Sequence, residues 1–156
     1  MEADEYDKRI QVRISDEGRR FTPDIPRFES LARTICARFG VDNAAVDIAI
    51  VNNAEMEEVN RQFLHREGIT DVISFDLSDG GAEKTRVFDI AVNGELAATQ
   101  AAERSIEPAA EVALYITHGL LHNLGFDDAD PGEAERMHKA EDEILQHLGY
   151  GVVYNS

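Results

Sequence analysis

Two histidines four residues apart are the sharpest chemical feature of this sequence, in the segment HGLLHNLGFDD at residues 118–128. On a helix, His118 and His122 project from one face, one above the other, so that two imidazole nitrogens can reach one ion. Gly125 allows the helix to stop in a left-handed turn, and the three residues after it span about 10 Å, enough to bring Asp128 back over the pair. Three such ligands, with a fourth position left to water, are typical of a catalytic Zn²⁺ rather than a closed structural one.

The surroundings of the histidine pair favour a metal site over two histidines exposed by chance. An isolated pair at this spacing is more often an ordinary surface feature, but this helix is otherwise apolar, so we expect the imidazoles to point inward. Its apolar residues are Val112, Leu114, Ile116, Leu120, Leu121 and Leu124. A glycine terminator followed by two carboxylates strengthens the prediction that His118, His122 and Asp128 hold one zinc ion.

A second group of residues could contact phosphate. Arg61, His65 and Arg66 form the densest positive patch in the acidic part of the chain. They also fit an ordinary helix end, because basic side chains favour a helix C-terminus. Asp71 follows in the segment TDVISF at residues 70–75. It is either a residue with a chemical role or part of an ordinary turn before a strand.

Hydrophobic periodicity predicts the elements that must position these residues. Apolar runs predict strands at residues 9–14, 46–51, 72–75 and 87–92, the last two paired as a hairpin across a turn at 78–84. Helical spacing predicts helices at residues 26–39, 54–65, 95–104, 105–124 and 131–148. Asn53 and Ser105 are predicted to cap the second and fourth helices, and Met56, Val59 and Phe63 to form the apolar face of the second.

About four strands and five helices in mixed order indicate an α/β (α+β) protein, one layered domain with a single mixed sheet. We expect residues 1–7 to be a frayed end and residues 8–156 to form one metal-dependent hydrolase domain. A chain of 156 residues fits one ordinary domain.

The charge of the chain limits its partners. Fifteen Lys and Arg against 31 Asp and Glu give a net charge of −16, all of it carried by residues 41–156. Broad electrostatic binding of nucleic acid is disfavoured, because phosphate contact normally requires a Lys/Arg footprint.

One cysteine, Cys36, excludes an internal disulfide framework and a Cys-based zinc site, and its place beside an apolar stripe predicts a core residue. With no signal peptide and no apolar stretch long enough to span a membrane, we expect a cytoplasmic protein.

The two motifs together resemble the YbeY family of bacterial endoribonucleases. The family signature is His-Gly-x-Leu-His-x-x-Gly-Tyr-Asp-His, preceded by Thr-[Asn/Asp]-Val-[Leu/Ile]-Ser-Phe; residues 118–128 match the first and residues 70–75 the second. Residues 88–92 are similar to the family's Gly-Asp-Ile strand, and the likeness covers about residues 47–148. It departs from the family at Asp128, which replaces the last His, and at Leu64, where many members carry Arg. Phe126 in place of Tyr and Asp76 in place of Pro are milder changes.

The resemblance implies a mixed sheet packed with helices and a zinc ion held by the His-rich run. It also implies hydrolysis of single-stranded RNA in ribosomal RNA maturation and ribosome quality control. The expected partners are ribosomal RNA and the ribosome or its proteins, with no DNA and no membrane. Asp127 and Asp71 are both candidates for the general base. Asp127 is equally a candidate for a residue that orients a histidine. The phosphate backbone would be held by Arg61, His65 and Arg66.

Two other functions fit parts of the pattern. The ligand spacing matches that of His-Glu-x-x-His-x-x-Gly-x-x-His zinc proteases, with Met137 downstream, but the protease's general base would stand where this chain has Gly119. A non-catalytic, metal-stabilised ribosome-associated factor fits Leu64 and the acidic surface.

His138 is a substitute third ligand if Asp128 is turned away, and the sequence leaves open whether the Glu141 side chain faces the site. The charge predicts weak, salt-sensitive RNA affinity and delivery to RNA by a protein or ribosomal partner.

Overall fold

A mixed sheet of four strands organises the computed structural model, which describes residues 9–78 and 85–151. The strands lie in the order β1-β2-β4-β3; β1, β2 and β4 are parallel, and β3 runs antiparallel to β4 at one edge. Their bounds are β1 Ile10–Asp16, β2 Ala44–Val51, β3 Val72–Asp76 and β4 Arg86–Asn93. The predicted hairpin is confirmed as the β3–β4 pair, although residues 79–84 of its turn, like the predicted frayed end at 1–7, lie outside the described residues.

Five helices pack around this sheet, so the predicted fold class is confirmed. They are α1 Ile25–Arg38, α2 Asn53–Leu64, α3 Gly94–Arg104, α4 Pro108–Asn123 and α5 Pro131–His147. None of the helices in the described part of the chain has the length and apolar character needed to cross a bilayer.

The alternation of side chains along the strands decides where the core lies. In β2 every second residue from Ala44 to Ile50 is buried, and so are the β4 partners of the last three, Phe88, Ile90 and Val92. This face of the sheet meets α1 and α4, and α5 packs against α4 from outside. A helix between a sheet and a further helix must be apolar nearly all round, which is the pattern of α4 from Ala110 to Leu121.

Cys36 belongs to this core, as its sequence neighbours predicted. Its side chain on α1 is completely buried, and burial raises the pKa of the thiol to about 11. A thiol that stays protonated and inaccessible at neutral pH acts as a small apolar residue rather than as a nucleophile.

Two predicted helix caps are wrong. Asn52, not Asn53, caps α2: its side chain accepts a hydrogen bond from the Glu55 N–H while the Glu55 carboxylate accepts one from the Asn52 N–H. Ser105 lies in a left-handed conformation that ends α3, and α4 begins three residues later at Pro108 without a side-chain cap. A rigid proline needs no N–H partner at a first helical position, so α4 can start without the serine.

Gly119 lets α4 approach the sheet closely. A Cβ atom built there would lie 3.0 Å from Val72 Cγ2 on β3 and 3.3 Å from Ile90 Cγ2 on β4. The absence of a side chain therefore sets the distance between the sheet and the helix that carries both histidines.

We predict that Gly119→Val lowers the free energy of unfolding by about 1–3 kcal/mol, because the added methyl groups overpack this contact. Urea denaturation followed by circular dichroism measures the change. Gly132→Val is the matched control: in the first turn of α5 a Cβ would meet only Asp130 Oδ1, at 3.5 Å, and stability should stay within about 0.5 kcal/mol. Equal losses in the two variants would contradict the close-approach explanation.

Candidate metal centre

The three predicted ligands converge at the end of α4. His118 Nε2 and His122 Nε2 lie 3.1 Å apart, and Asp128 Oδ2 lies 3.8 Å from each. The point equidistant from three atoms at these separations lies about 2.1 Å from each of them, within the range of zinc–nitrogen and zinc–carboxylate bonds. These are the three residues that could together hold a metal ion in the described part of the chain. The donor set and its spacing therefore fit a single divalent ion.

A helix-ending motif brings the chain back over the histidines. Gly125 has φ of +102°, its N–H bonds to the His122 carbonyl, and the Phe126 N–H bonds to the Leu121 carbonyl. This is the pattern of a glycine-terminated helix, in which the left-handed residue satisfies the last carbonyls. Phe126 then packs edge-on against Phe39 at the end of α1, with ring centroids 5.3 Å apart, which anchors the returning segment.

Asp127 shapes the turn that presents Asp128. Its Oδ1 accepts hydrogen bonds from the backbone N–H groups of Asp128 at 2.7 Å and Ala129 at 3.2 Å. An aspartate that binds the backbone one and two residues further on stabilises a tight turn. One oxygen of this candidate base is therefore occupied in holding the third ligand in place.

Glu141 on α5 supports the site from behind. Its carboxylate is 1% exposed; Oε2 lies 2.6 Å from His118 Nδ1 and Oε1 lies 2.9 Å from His138 Nδ1. A carboxylate at Nδ1 holds the proton there and leaves the Nε2 lone pair for the metal. His138 thus lies on the far side of Glu141 from His118, while Asp128 takes the position of third ligand.

The sequence carries a signal for the role of Glu141, because this acidic residue falls within the apolar stripe of α5. Glu141 lies four residues after Met137 and three before Ile144, and all three side chains are buried on α5. An acidic residue inside an apolar stripe must be paired when the helix packs, and its partners are His118 of α4 and His138 of α5.

The electrostatics of the centre favour a cation. Burial lowers the pKa of His118, but the hydrogen bond and charge of Glu141 and the charges of Asp71 and Asp128 outweigh it, so the pKa is raised overall. The negative charges that favour a proton on this imidazole also favour a divalent ion at its Nε2, and the ion displaces that proton when it binds.

Asp71 lies at the start of β3, beside α4. Its Oδ1 accepts hydrogen bonds from the Val72 N–H at 2.8 Å and the Thr70 hydroxyl at 3.3 Å. It is half-buried, and its charge acts on His118. The TDVISF strand is thus brought alongside the His-rich helix, which sequence order alone does not show.

The predicted phosphate-binding residues lie on a different element, at the end of α2. Arg61, His65 and Arg66 are exposed; Arg61 pairs with Glu58, and His65 adopts a left-handed conformation that ends the helix. The predicted apolar face of α2 is only partly correct: Met56 is buried, whereas Phe63 is 60% exposed.

We predict that Glu141→Gln weakens binding of Zn²⁺ by about 10- to 100-fold, because the neutral amide no longer fixes and charges His118 Nδ1. Competition with a chromogenic chelator measures the affinity. Glu143→Gln is the matched control, since Glu143 lies on the same helix but pairs with Arg38 on the surface. An unchanged affinity in Glu141→Gln would contradict the supporting role of this carboxylate.

Comparison with known proteins connects this site to one family. The family model described as endoribonuclease YbeY matches residues 13–149. Endoribonuclease YbeY of Geobacter metallireducens is 31% identical over 144 residues, covering 89% of this chain and 96% of that protein. Endoribonuclease YbeY of Chloroflexus aurantiacus is 35% identical over 151 residues, covering 90% of this chain and 95% of that protein.

A solved structure is similar in fold. The solution structure of a Thermotoga maritima protein aligns with a TM-score of 0.60 at 20% identity, covering 88% of this chain and 90% of that one. The family match spans the sheet, all five helices and the three residues of the candidate metal centre. The chain therefore belongs to the endoribonuclease YbeY family.

Proposed function

We propose that this protein hydrolyses single-stranded RNA in the maturation of ribosomal RNA, using one zinc ion held by His118, His122 and Asp128. The observation that supports the proposal is the triangle of ligand atoms, with sides of 3.1, 3.8 and 3.8 Å, in a chain of an endoribonuclease family. The three ligands leave a further coordination position for water, as catalytic zinc sites do.

A bound divalent ion lowers the pKa of its water towards about 7 and polarises a phosphoryl oxygen. The chain's own residues do the rest. Glu141 keeps His118 in the tautomer that exposes Nε2, and Asp127 holds the turn that carries Asp128. Asp128 supplies a carboxylate where the family signature has a histidine, so the site carries one more negative charge and is harder, which extends its tolerance to other divalent metals.

Asp71 is the carboxylate we propose as general base. It is half-buried beside α4, its charge reaches His118, and it takes no part in the turn that holds the third ligand. Asp127 is assigned a positioning role, because the two backbone N–H groups that its Oδ1 binds belong to the turn that presents Asp128. A base must reach the proton it removes, and Asp71 directly precedes β3, which packs against the helix α4 that carries both histidines.

Substrate binding on this acidic chain is local. We propose that Arg66, His65 and Arg61 at the end of α2 contact the phosphate backbone, Arg61 in competition with its bond to Glu58. With a net charge of −16 the isolated protein binds RNA weakly and in a salt-sensitive way. We propose that the ribosome or a ribosomal protein delivers this protein to its RNA in the cytoplasm, and that DNA and membranes are not partners. Residues 8–156 would act as a single hydrolase domain.

The protease alternative is disfavoured by the packing of Gly119. The general base of a zinc protease is a glutamate directly after the first histidine. Here a side chain at that position would meet Val72 and Ile90 in the sheet. The close approach of helix and sheet leaves no room for a carboxylate there.

We predict that His118→Ala reduces cleavage of a short unstructured RNA by about 100-fold or more, because removing a ligand costs the metal and its water. Gel analysis of labelled RNA, with and without a chelator, measures the rate. His147→Ala is the matched control, since His147 is exposed on α5 and outside the metal centre. A folded His118→Ala variant with full cleavage activity would mean that the metal is not catalytic, and chelator-sensitive loss of casein with intact RNA would support the protease.

Asp71→Asn and Asp127→Asn should fail in different ways. Asp71→Asn should lower kcat by about 10²- to 10⁴-fold with unchanged zinc affinity, because a base is lost but no ligand is displaced. Asp127→Asn should weaken zinc binding, because the turn that presents Asp128 loses its charged acceptor. Zinc titration and single-turnover rates separate the two effects. Full activity of Asp71→Asn, which introduces the residue that the family signature also allows at this position, would remove Asp71 as the base.

A further inference from the structure

The large apolar side chains exposed among the described residues all fall between residues 63 and 77. They are Phe63 (60% exposed), Leu64 (39%), Ile69 (44%) and Leu77 (58%). His65 and Arg66 lie within the same stretch, and Arg61 lies just before it. An apolar and basic surface on a chain of charge −16 marks a place where this protein meets something else.

The Phe63 ring is held in place by a second aromatic residue. It packs edge-on against Phe75 of β3, with ring centroids 5.6 Å apart and an interplanar angle of 63°. This contact orients the ring while most of the side chain stays exposed. A ring that is already ordered loses little conformational freedom when a ligand covers it.

The same contact connects Phe63 to the metal centre. β3 carries Phe75, and the Asn123 side-chain amide lies 3.5 Å from the Phe75 carbonyl, one residue after the ligand His122. Arg86 of β4 bonds to the Asn123 carbonyl and to Asp76, so the ends of β3 and α4 are tied together. The exposed ring, β3 and the metal-bearing end of α4 therefore form one continuous region.

We propose that Phe63 is a stacking platform for an unpaired nucleobase of the RNA substrate, with Arg66 and His65 at the flanking phosphates. The proposal rests on the proposed function and specifies how that site selects its substrate. Single-strand-binding proteins combine aromatic faces for the bases with positive groups for the backbone, and stacking tolerates any base. The adjacent positive charges favour RNA over an uncharged apolar protein partner.

The platform accounts for a preference for single strands. A base in a duplex is stacked on both faces by its neighbours and offers no face to Phe63. An unpaired base offers a free face to the ring. Selection by strandedness rather than by sequence follows, because stacking reads no base edges.

The absence of tryptophan from the chain makes the platform directly testable. Phe63→Trp introduces a single indole, whose fluorescence is recorded while an unstructured RNA, or a duplex of the same sequence, is added with a chelator present to prevent cleavage. We expect quenching by the single strand and little by the duplex. Ser15→Trp is the control, because Ser15 is exposed on β1 at the opposite edge of the sheet.

Steady-state kinetics of the zinc-loaded protein give a second readout. Phe63→Ala should raise KM by about tenfold with kcat changed less than about twofold, and Phe63→Tyr should restore KM. Leu77→Ala removes an equally exposed apolar side chain without a ring and should leave KM within about twofold. A fall in kcat alone, or an equal effect of Leu77→Ala, would overturn the stacking role.

The outcomes separate this proposal from the proposed function. If His118→Ala abolishes cleavage while Phe63→Trp is not quenched by RNA, the function stands and the platform is wrong. If Phe63→Trp is quenched but the wild-type protein cleaves no RNA, the platform stands and the function is wrong. An indole that responds to an isolated ribosomal protein and not to RNA would make this surface a protein-docking site and overturn the platform.

Discussion

The hydrogen bond between the buried Glu141 carboxylate and His118 Nδ1 is the interaction on which the candidate site depends. It joins α5 to α4 in an otherwise apolar interface of residues such as Met137, Leu120 and Ile144. A buried carboxylate is costly unless its oxygens are bonded, and here both meet a histidine. The same bond orients the imidazole. One hydrogen bond therefore constrains both the packing of α5 on α4 and the donor geometry of the candidate metal centre.

The position of α4 is subject to a second constraint, because this helix is buried in the core and also holds two candidate metal ligands. Its residues from Ala110 to Leu121 are buried on nearly every side, so the close contact at Gly119, rather than burial, sets its rotation about its axis. Gly119 then faces β3 and β4, and the neighbouring His118 is turned towards α5 and the returning loop. The glycine-terminated end at Gly125 and the anchor at Phe126 bring Asp128 over the histidines without a further element of structure.

The charges of the protein are unevenly distributed, which the net charge alone does not show. The acidic groups near the centre suit a divalent ion, whereas the basic and apolar residues at the end of α2 suit a strand of RNA. The region that includes β3 and the end of α4 joins these two surfaces, because Phe75 contacts Phe63 and its carbonyl lies near Asn123. The proposed RNA contacts are therefore confined to a small local surface of an acidic protein.

Local patterns in the sequence determined the four strands, the five helices, the membership of His118, His122 and Asp128 in one cluster, and the family. These features depend on residues near in sequence: the i, i+4 spacing, the glycine terminator and the alternation of apolar residues. The caps predicted at Asn53 and Ser105 were wrong by short distances, because neighbouring polar residues compete for a cap and only the backbone conformation selects one.

Only the tertiary structure decided the role of Glu141, the exposure of Phe63 and the place of Asp71 beside α4. Each depends on which helix or strand packs against another, and contacts between residues 23 or more positions apart leave no periodic trace in the sequence. The sequence therefore specified the three candidate metal ligands, while packing between elements specified what surrounds and supports them.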